Sequence, residues 1–399
     1  MGPAPPPIRM HSSQATIDVS AAAHAKRSEW IEIRSHIQGL NSLAVRTLLA
    51  LFDDQEHLFS DRLVEPEELF VEQGASRSGT LIALLGLRRI RETRTVFPFD
   101  LASIEKAVFR DFRWMRGIGD LGLTLWYAAL HAPEQLEKLY QRCNFEVALD
   151  FCRDARESRT KELAWFLAGL SHAKRAQGEA SQDFTDLAVE TYRKLDENQC
   201  EEGIFSHWGT TARLGGWLGS RFGTFTDQAF AIYALSQFAN AFQVDEPLGG
   251  ALDCASALCA LQGPFGQWWW LYDAHNGGVA CQYPVLSANQ AGLAPLALLA
   301  LQESTGLDFQ EAVQKGLRWL FGENELAKDL SAAGRPNQWV TVTPEFAGIR
   351  YVETALSLLG ISPNCFRVPR ERMKVVPEGA ADRCSWTLYS FGEYGLPAA

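Results

Sequence analysis

No stretch of this sequence has the unbroken apolar run of roughly 18 residues that a membrane-crossing helix needs. No integral membrane segment is therefore expected. Positive charge is also scarce: 37 Lys and Arg stand against 48 Asp and Glu, for a net charge of −11. A nucleic-acid or anionic-membrane partner would call for a basic patch, so neither is expected. The eight cysteines include no Cys-x-x-Cys and none with a histidine at zinc-ligand spacing. They read as reduced thiols of a cytoplasmic protein, with no metal and no cofactor expected. The opening MGPAPPPIRMHSSQ is proline-rich and lacks the apolar core of a signal peptide. Residues 1–27 are expected to form a disordered leader.

What the chain does contain is a repeat. Hydrophobic residues make up 47% of its 399 positions and charged ones 21%, enough to build a large core. Six segments share a polar or glycine-containing start followed by a Leu- and Ala-rich helix, apolar nearly all round. They begin at Ser76, Gly117, Ser158, Phe225, Ser287 and Phe346. More amphipathic helices are expected between them, near 41–52, 101–113, 133–152, 182–197, 247–262 and 308–321. Strand signals are few. Twelve helices, alternately buried and amphipathic, predict an all-α fold: a single (α/α)6 toroid over residues 28–399, with an inner and an outer ring. Long loops rich in Gly, Trp and Tyr, at 198–225, 263–287 and 322–346, are where function is expected.

In such a ring the inner helices run the same way and their N-termini meet at one mouth. The residues expected there are Ser78, Asp120, Lys161 and Glu162, Asp227 and Gln228, Asn289 and Gln290, and Arg350 and Tyr351. Some are helix caps by type. Converging N-termini also favour a negatively charged ligand. His275 in the turn DAHNGG, His207 in FSHWG and Trp208 beside it add loop candidates. Trp126 and Trp165 read as core. In GPFGQWWWLYDAHNGG, three consecutive indoles in an extended chain would alternate faces. Trp268 and Trp270 would then share one side, and Trp269 the other.

The stretch LQGPFGQW holds Gln262, Gly266 and Trp268, and NQCEEGIF holds Gln199, Gly203 and Phe205. Both resemble the QW repeats of the terpenoid-cyclase and protein-prenyltransferase toroid superfamily, squalene-hopene-cyclase-like in kind. The resemblance implies a toroid in which Gln262 and Trp268 tie an outer helix to the next turn. The D-x-D-D motif of that family is absent. The only Asp-Asp pair, Asp53–Asp54, falls in the first outer-helix region.

The expectation carried forward is a terpenoid-cyclase-like enzyme acting on an isoprenoid-type small molecule in an aromatic-lined cavity. Asp227, Asp273 and Glu162 are the candidate catalytic carboxyls. Trp269, Trp270, Tyr272, Tyr283, Phe230, Gln228, Gln290, Asp120, His275, Arg350, Tyr351 and Trp208 are the candidate substrate contacts. Loss of Asp227 is expected to end turnover without affecting stability. Two alternatives stay open. One is a carbohydrate-active hydrolase, lyase or epimerase on an acidic glycan, using paired carboxyls. The other is a non-catalytic binding toroid.

Overall fold

The computed structural model describes residues 14–399 apart from 61–73, 92–97, 154–158, 178–182, 210–216, 332–338, 347, 362–367, 379–380 and 397–399. The boundary expected at residue 27 falls inside α1 (Gln14–Leu51). From there outer and inner helices alternate. α1 leads to the inner α2 (Arg77–Arg91), and α3 (Leu101–Val108) to α4 (Ile118–His131). α5 (Pro133–Arg142) and α6 (Phe145–Arg153) lead to α7 (Thr160–Gln177). α8 (Asp183–Asp196), followed by a loop carrying the short α9 (Trp217–Arg221), leads to α10 (Phe225–Phe242). α11 (Glu246–Leu261) leads to a π-helical turn, Asn289–Leu293, that continues as α12 (Ala294–Thr305). α13 (Gln310–Leu320) is followed by α14 (Ile349–Leu358) and α15 (Ala381–Phe391).

Helices α2, α4, α7, α10, α12 and α15 pack side by side into a closed ring. The fold is therefore an all-α (α/α)6 toroid. Ring closure joins the two ends of the chain. Buried Asn41 of α1 donates to the carbonyls of Phe391 and Gly395 at 2.9 and 3.0 Å, and Gln38 donates to the Tyr394 carbonyl. Among the described residues no helix is long and apolar enough to cross a membrane. Cys143, Cys200, Cys254, Cys259, Cys281 and Cys384 are free thiols.

The sixth inner helix is a correction. The segment from Phe346 is α14, which lies outside the ring, with Arg350 and Tyr351 exposed. The buried residues of α14 are Glu353 and Ser357, the reverse of a core stripe. The ring position belongs to α15, whose Trp386, Leu388, Tyr389 and Phe391 are buried. Asp53 and Asp54 are also not helical. Asp53 ends β1 (Phe52–Asp53) of a hairpin with β2 (Leu58–Phe59), and its carboxylate accepts from the Gln55 and Glu56 amides in the turn.

Two three-stranded antiparallel sheets cover the loop end of the ring. One joins β3 (Phe222–Thr224), β4 (Leu271–Asp273) and β5 (Gly278–Cys281). The other joins β6 (Val285–Leu286), β7 (Trp339–Pro344) and β8 (Met373–Glu378).

The glutamine repeat is real at the level of hydrogen bonds. Gln199 Nε2 donates to the carbonyls of Gly203 and Gly250 at 2.9 and 2.8 Å. Gln262 Nε2 donates to those of Gly266 and Ala312 at 3.0 and 2.9 Å. Gly203 and Gly266 share the left-handed backbone that this turn requires, at φ 81° and 95°. A second glutamine pair completes each repeat. Gln228 accepts from the Phe205 amide at 2.8 Å and donates to the Phe205 carbonyl at 2.7 Å. Gln290 holds Trp268 the same way at 3.2 and 3.4 Å. Gln228 and Gln290 are thus buried staples, not substrate contacts.

The tightest helix pair is α4 with α7. A Cβ on Gly122 would lie 2.4 Å from the Trp165 carbonyl oxygen, and one on Gly169 2.2 Å from that of Gly122. Both obstacles are backbone, so neither can swing aside. Gly169→Ala is expected to destabilise the fold by about 1–3 kcal/mol, the usual cost of overpacking, read as a lower denaturation midpoint. An unchanged midpoint would mean that the two backbones do not meet.

Candidate functional site

The centre of the ring is filled by aromatic side chains in two levels. Trp165, Phe230 and Trp386 form the upper level, with Phe230 5.3 Å from Trp165 and 5.1 Å from Trp386 between ring centroids. One turn deeper, Trp126 stacks on Tyr233 at 4.8 Å and on His172 at 5.1 Å, with Tyr389 edge-on at 5.4 Å. The plug separates the N-terminal ends of the inner helices, here termed the upper cup, from a cavity at their C-terminal ends, the lower cup. Phe230, expected to shape a substrate cavity, is 2% exposed and belongs to the plug.

The upper cup gathers carboxyl groups because α4 and α7 cross so closely. Asp120 lies in the first turn of α4 and Glu162 in that of α7. The Glu162 carboxyl occupies the space above Gly119, where a Cβ would lie 1.8 Å from its Oε2. Burial raises the pKa of Glu162; nearby Lys161 pulls it down, and the Asp120 charge adds to the rise. Asp120 itself accepts from the Arg116 amide at 2.9 Å. Lys161 lies over the Trp165 ring at 4.6 Å, and Arg159 over the Trp208 ring at 5.5 Å. Neither the Trp165 nor the Trp208 indole N–H meets an acceptor among the described residues.

Asp227 is not a free acid. Its carboxylate accepts from the Thr224 amide at 2.8 Å and the Thr224 hydroxyl at 2.7 Å, closing a capping box at the start of α10. Both carboxylate oxygens lie 3.1 Å from His207 Nδ1. The group facing the cup is therefore the His207 imidazole, one-third exposed, with Asp227 2% exposed behind it. The backbone around His207 is pinned beside α7: the Thr160 amide donates to the His207 carbonyl at 3.0 Å, and the His207 amide donates to the Phe222 carbonyl. A Ser-His-Trp run alone could flag His207, but its carboxylate partner was invisible.

Asp273 is likewise spoken for. It is fully buried and forms an ion pair with Arg221 at 2.8 Å, while accepting from the Ser357 hydroxyl at 2.8 Å and the His275 amide at 3.0 Å. It binds β4 to α14. His275 is exposed in the turn beyond.

The triple indole also differs from a simple alternation. Trp268 and Trp269 are 1% and 5% exposed, and only Trp270 is half-open. Scaffold covers both faces of the strand. Trp268 stacks on Phe225 at 5.6 Å, while the Trp269 indole donates to the Leu261 carbonyl at 2.9 Å and its amide to the Tyr272 hydroxyl at 3.2 Å. Tyr272 is fully buried, and Tyr283 donates to Glu325 at 3.3 Å, away from the cup. Arg350 and Tyr351, exposed on α14, start no inner helix. Of the expected site, the ring therefore brings Asp120, Glu162, Asp227 and Trp208 together.

No family model and no curated protein sequence matches the chain. Solved structures do. An unsaturated glucuronyl hydrolase specific for heparin aligns at TM-score 0.57 and 12% identity, over 90% of this chain and 96% of that one. The unsaturated glucuronyl hydrolase of Bacillus sp. GL1 aligns at 0.53 and 14%, over 90% and 95%. Cellobiose 2-epimerase from Bacillus thermoamylovorans aligns at 0.53 and 11%, over 87% and 95%. At these identities the likeness is one of fold.

The terpenoid-cyclase-like reading, with its isoprenoid substrate, is corrected on two findings. The solved toroids named above, which align along nearly the whole chain, are carbohydrate enzymes, and Trp269, Tyr272 and Phe230, expected to line an aromatic cavity, are buried scaffold. The stability expectation for Asp227 is corrected as well. Asp227→Ala removes the capping box and is expected to cost about 1–2 kcal/mol, measured by denaturant titration. His207→Ala, at a half-exposed ring, is expected to leave the midpoint nearly unchanged. The opposite order of the two variants would undo the assignment of Asp227 as a support.

Proposed function

We propose that the chain is a carbohydrate-active enzyme whose active site is the upper cup, and that its substrate is an acidic glycan. The observation that carries this reading is the Glu162 carboxyl, raised in pKa by burial, next to the Asp120 carboxylate. A carboxyl whose pKa is raised by burial, with a second carboxyl beside it, is the pair that glycosidic bond cleavage needs. Glu162 delivers its proton to the leaving oxygen of the sugar. Asp120 takes a proton from the attacking water. The Trp165 and Trp208 indoles supply aromatic surface against which a sugar ring can pack. Lys161 and Arg159, at the start of α7, supply the positive charge that an acidic sugar requires. The fold is one shared with glucuronyl hydrolases and an epimerase, which agrees with this class of substrate.

The Asp227–His207 pair favours a second reading of the same cup. With Nδ1 donating to Asp227, His207 presents Nε2 as a base, suited to proton abstraction in an epimerisation. Mass spectrometry of products from uronic-acid oligosaccharides separates the two, since hydrolysis adds water and epimerisation conserves mass.

For hydrolysis, Glu162→Gln is expected to lower turnover by roughly 10²–10⁴-fold, the usual worth of a positioned acid. Full activity in that variant would remove Glu162 from the role. The acid form is the active one, so activity is present below the folded pKa of Glu162 and lost as pH rises through it. Asp120 contributes to the upward shift, so Asp120→Asn is expected to lower turnover and, in the activity that remains, to move the alkaline limb of the pH profile to lower pH. A limb that stays in place, or moves up, would separate the two carboxyls. Gly119→Ala is expected to displace the flexible Glu162 side chain, lowering turnover while leaving the unfolding temperature close to that of the parent.

A further inference from the structure

Below the aromatic plug lies a second cavity, of about 460 Å³, at the C-terminal ends of the inner helices. That volume is within the range of small-molecule sites. Its floor is the hydrogen-bonded chain His172–Tyr233–Tyr389, all three residues less than a tenth exposed. Arg88, Arg89, Arg175 and His131 stand around it.

The floor holds more protons than acceptors. Arg175 donates to His172 Nδ1 at 2.8 Å, which places the ring proton on Nε2. That nitrogen then donates to the Tyr233 hydroxyl at 2.9 Å. Trp126 Nε1 donates to the Tyr389 hydroxyl at 3.1 Å, and the two hydroxyl oxygens lie 3.1 Å apart. One hydroxyl proton fits between those oxygens. The other meets no acceptor among the described residues. His131 Nε2, buried, is also unpartnered among them. Burial, with Arg88 and Arg89 adding to it, lowers the His131 pKa to about 4, so the ring is neutral at physiological pH.

The guanidiniums differ in a telling way. Arg88 is neutralised by Glu105 at 2.6 Å. Arg89 donates to the Tyr389 carbonyl at 3.1 Å and lies 5.1 Å over its ring, while Arg175 donates to His172 and to the Gln237 side chain. Every one of those partners is neutral. Among the described residues neither Arg89 nor Arg175 has a carboxylate at ion-pair distance, although Glu303 and Glu393 also line the cavity. Two unneutralised guanidiniums over a donor-rich floor want an anion with several acceptor oxygens.

We propose that the lower cup is a second binding site, for a small hydroxylated molecule bearing a carboxylate or phosphate. Arg89 and Arg175 grip the oxyanion, the surplus tyrosine hydroxyl donates to it, and Glu303 and Glu393 accept from the ligand's hydroxyls. The site is separated from the upper cup by the plug and does not depend on the reaction assigned there.

Calorimetric titration of the full chain with inorganic phosphate and with D-glucuronate tests this. At least one is expected to bind saturably, and Arg89→Gln and Arg175→Gln each to weaken it by about 10-fold or more, the loss of one charge-assisted contact. Glu162→Gln, in the other cup, is expected to leave the binding that depends on Arg89 and Arg175 unchanged. Phosphate binding alone identifies a phosphorylated ligand, glucuronate alone a carboxylate, and both a site that reads oxyanion charge. On the unaltered protein, the bound anion is expected to shield Arg89 and Arg175 from phenylglyoxal, mapped by peptide mass spectrometry. Absence of saturable binding by either anion, binding that both arginine variants retain, or unshielded arginines would overturn the proposal.

Discussion

The indole of Trp126 decides what kind of toroid this is. A ring of six inner helices encloses a bore, and a bore must be filled by side chains or by ligand. Here Trp126, stacked against both His172 and Tyr233 and tied to Tyr389 through its N–H, fills the middle. Its ring is fully buried, and a large aromatic contributes both area and geometry to such a core. A through-channel or deep apolar tunnel, as an isoprenoid chain would need, is thereby closed off. What remains is the space at the two ends of the bore, above and below the plug.

The upper cup owes its chemistry to a packing detail rather than to its loops. Gly122 and Gly169 let the backbones of α4 and α7 touch, and that contact carries Asp120 and Glu162 to the same spot. Two opposing influences then act on Glu162. The N-terminus of α7 and Lys161 favour the charged form, whereas burial and the Asp120 charge favour the proton. Burial wins because the carboxyl is tucked over Gly119, where no Cβ holds it out toward water. The same logic runs differently at Asp227, where three donors meet the carboxylate and leave it a fixed orienting group for His207.

Much of the scaffold was legible in the chain because it is written in local periodicity. Five of the six inner helices begin close to where a polar start meets an apolar run, and Gln199 and Gln262 mark the same turn twice. The sixth failed for a physical reason. The α14 segment has apolar residues at helical spacing, yet it turns Tyr351, Val352 and Leu359 to solvent and buries Glu353 against the Cys281 thiol, which donates to it at 3.1 Å. Burial direction is set by what an element packs on, and spacing alone cannot supply that. The site was legible as a set of residue types at one mouth, and less so as roles. Asp273 meets Arg221 52 positions away and Ser357 84 away. A carboxyl with such distant partners cannot be told from a free one by its neighbours in sequence.

The two cups also differ in the charged groups gathered at them, and the helix ends explain only part of that. Carboxylates at N-termini and guanidiniums at C-termini complement the macrodipoles of the six inner helices, so each sign would be stabilised there without any ligand. That account suffices for Arg88, which has Glu105 beside it, and for Asp120, which accepts from a local amide. It does not suffice for the rest. A dipole asks for nearby charge, but it does not tuck a carboxyl over a glycine where burial raises its pKa. Nor does it leave two arginines resting on neutral acceptors above an unmatched hydroxyl proton. Those features are costly where they stand, and on the two proposals made above each is relieved by an occupant: a sugar above, and an oxyanion that takes the spare donors below.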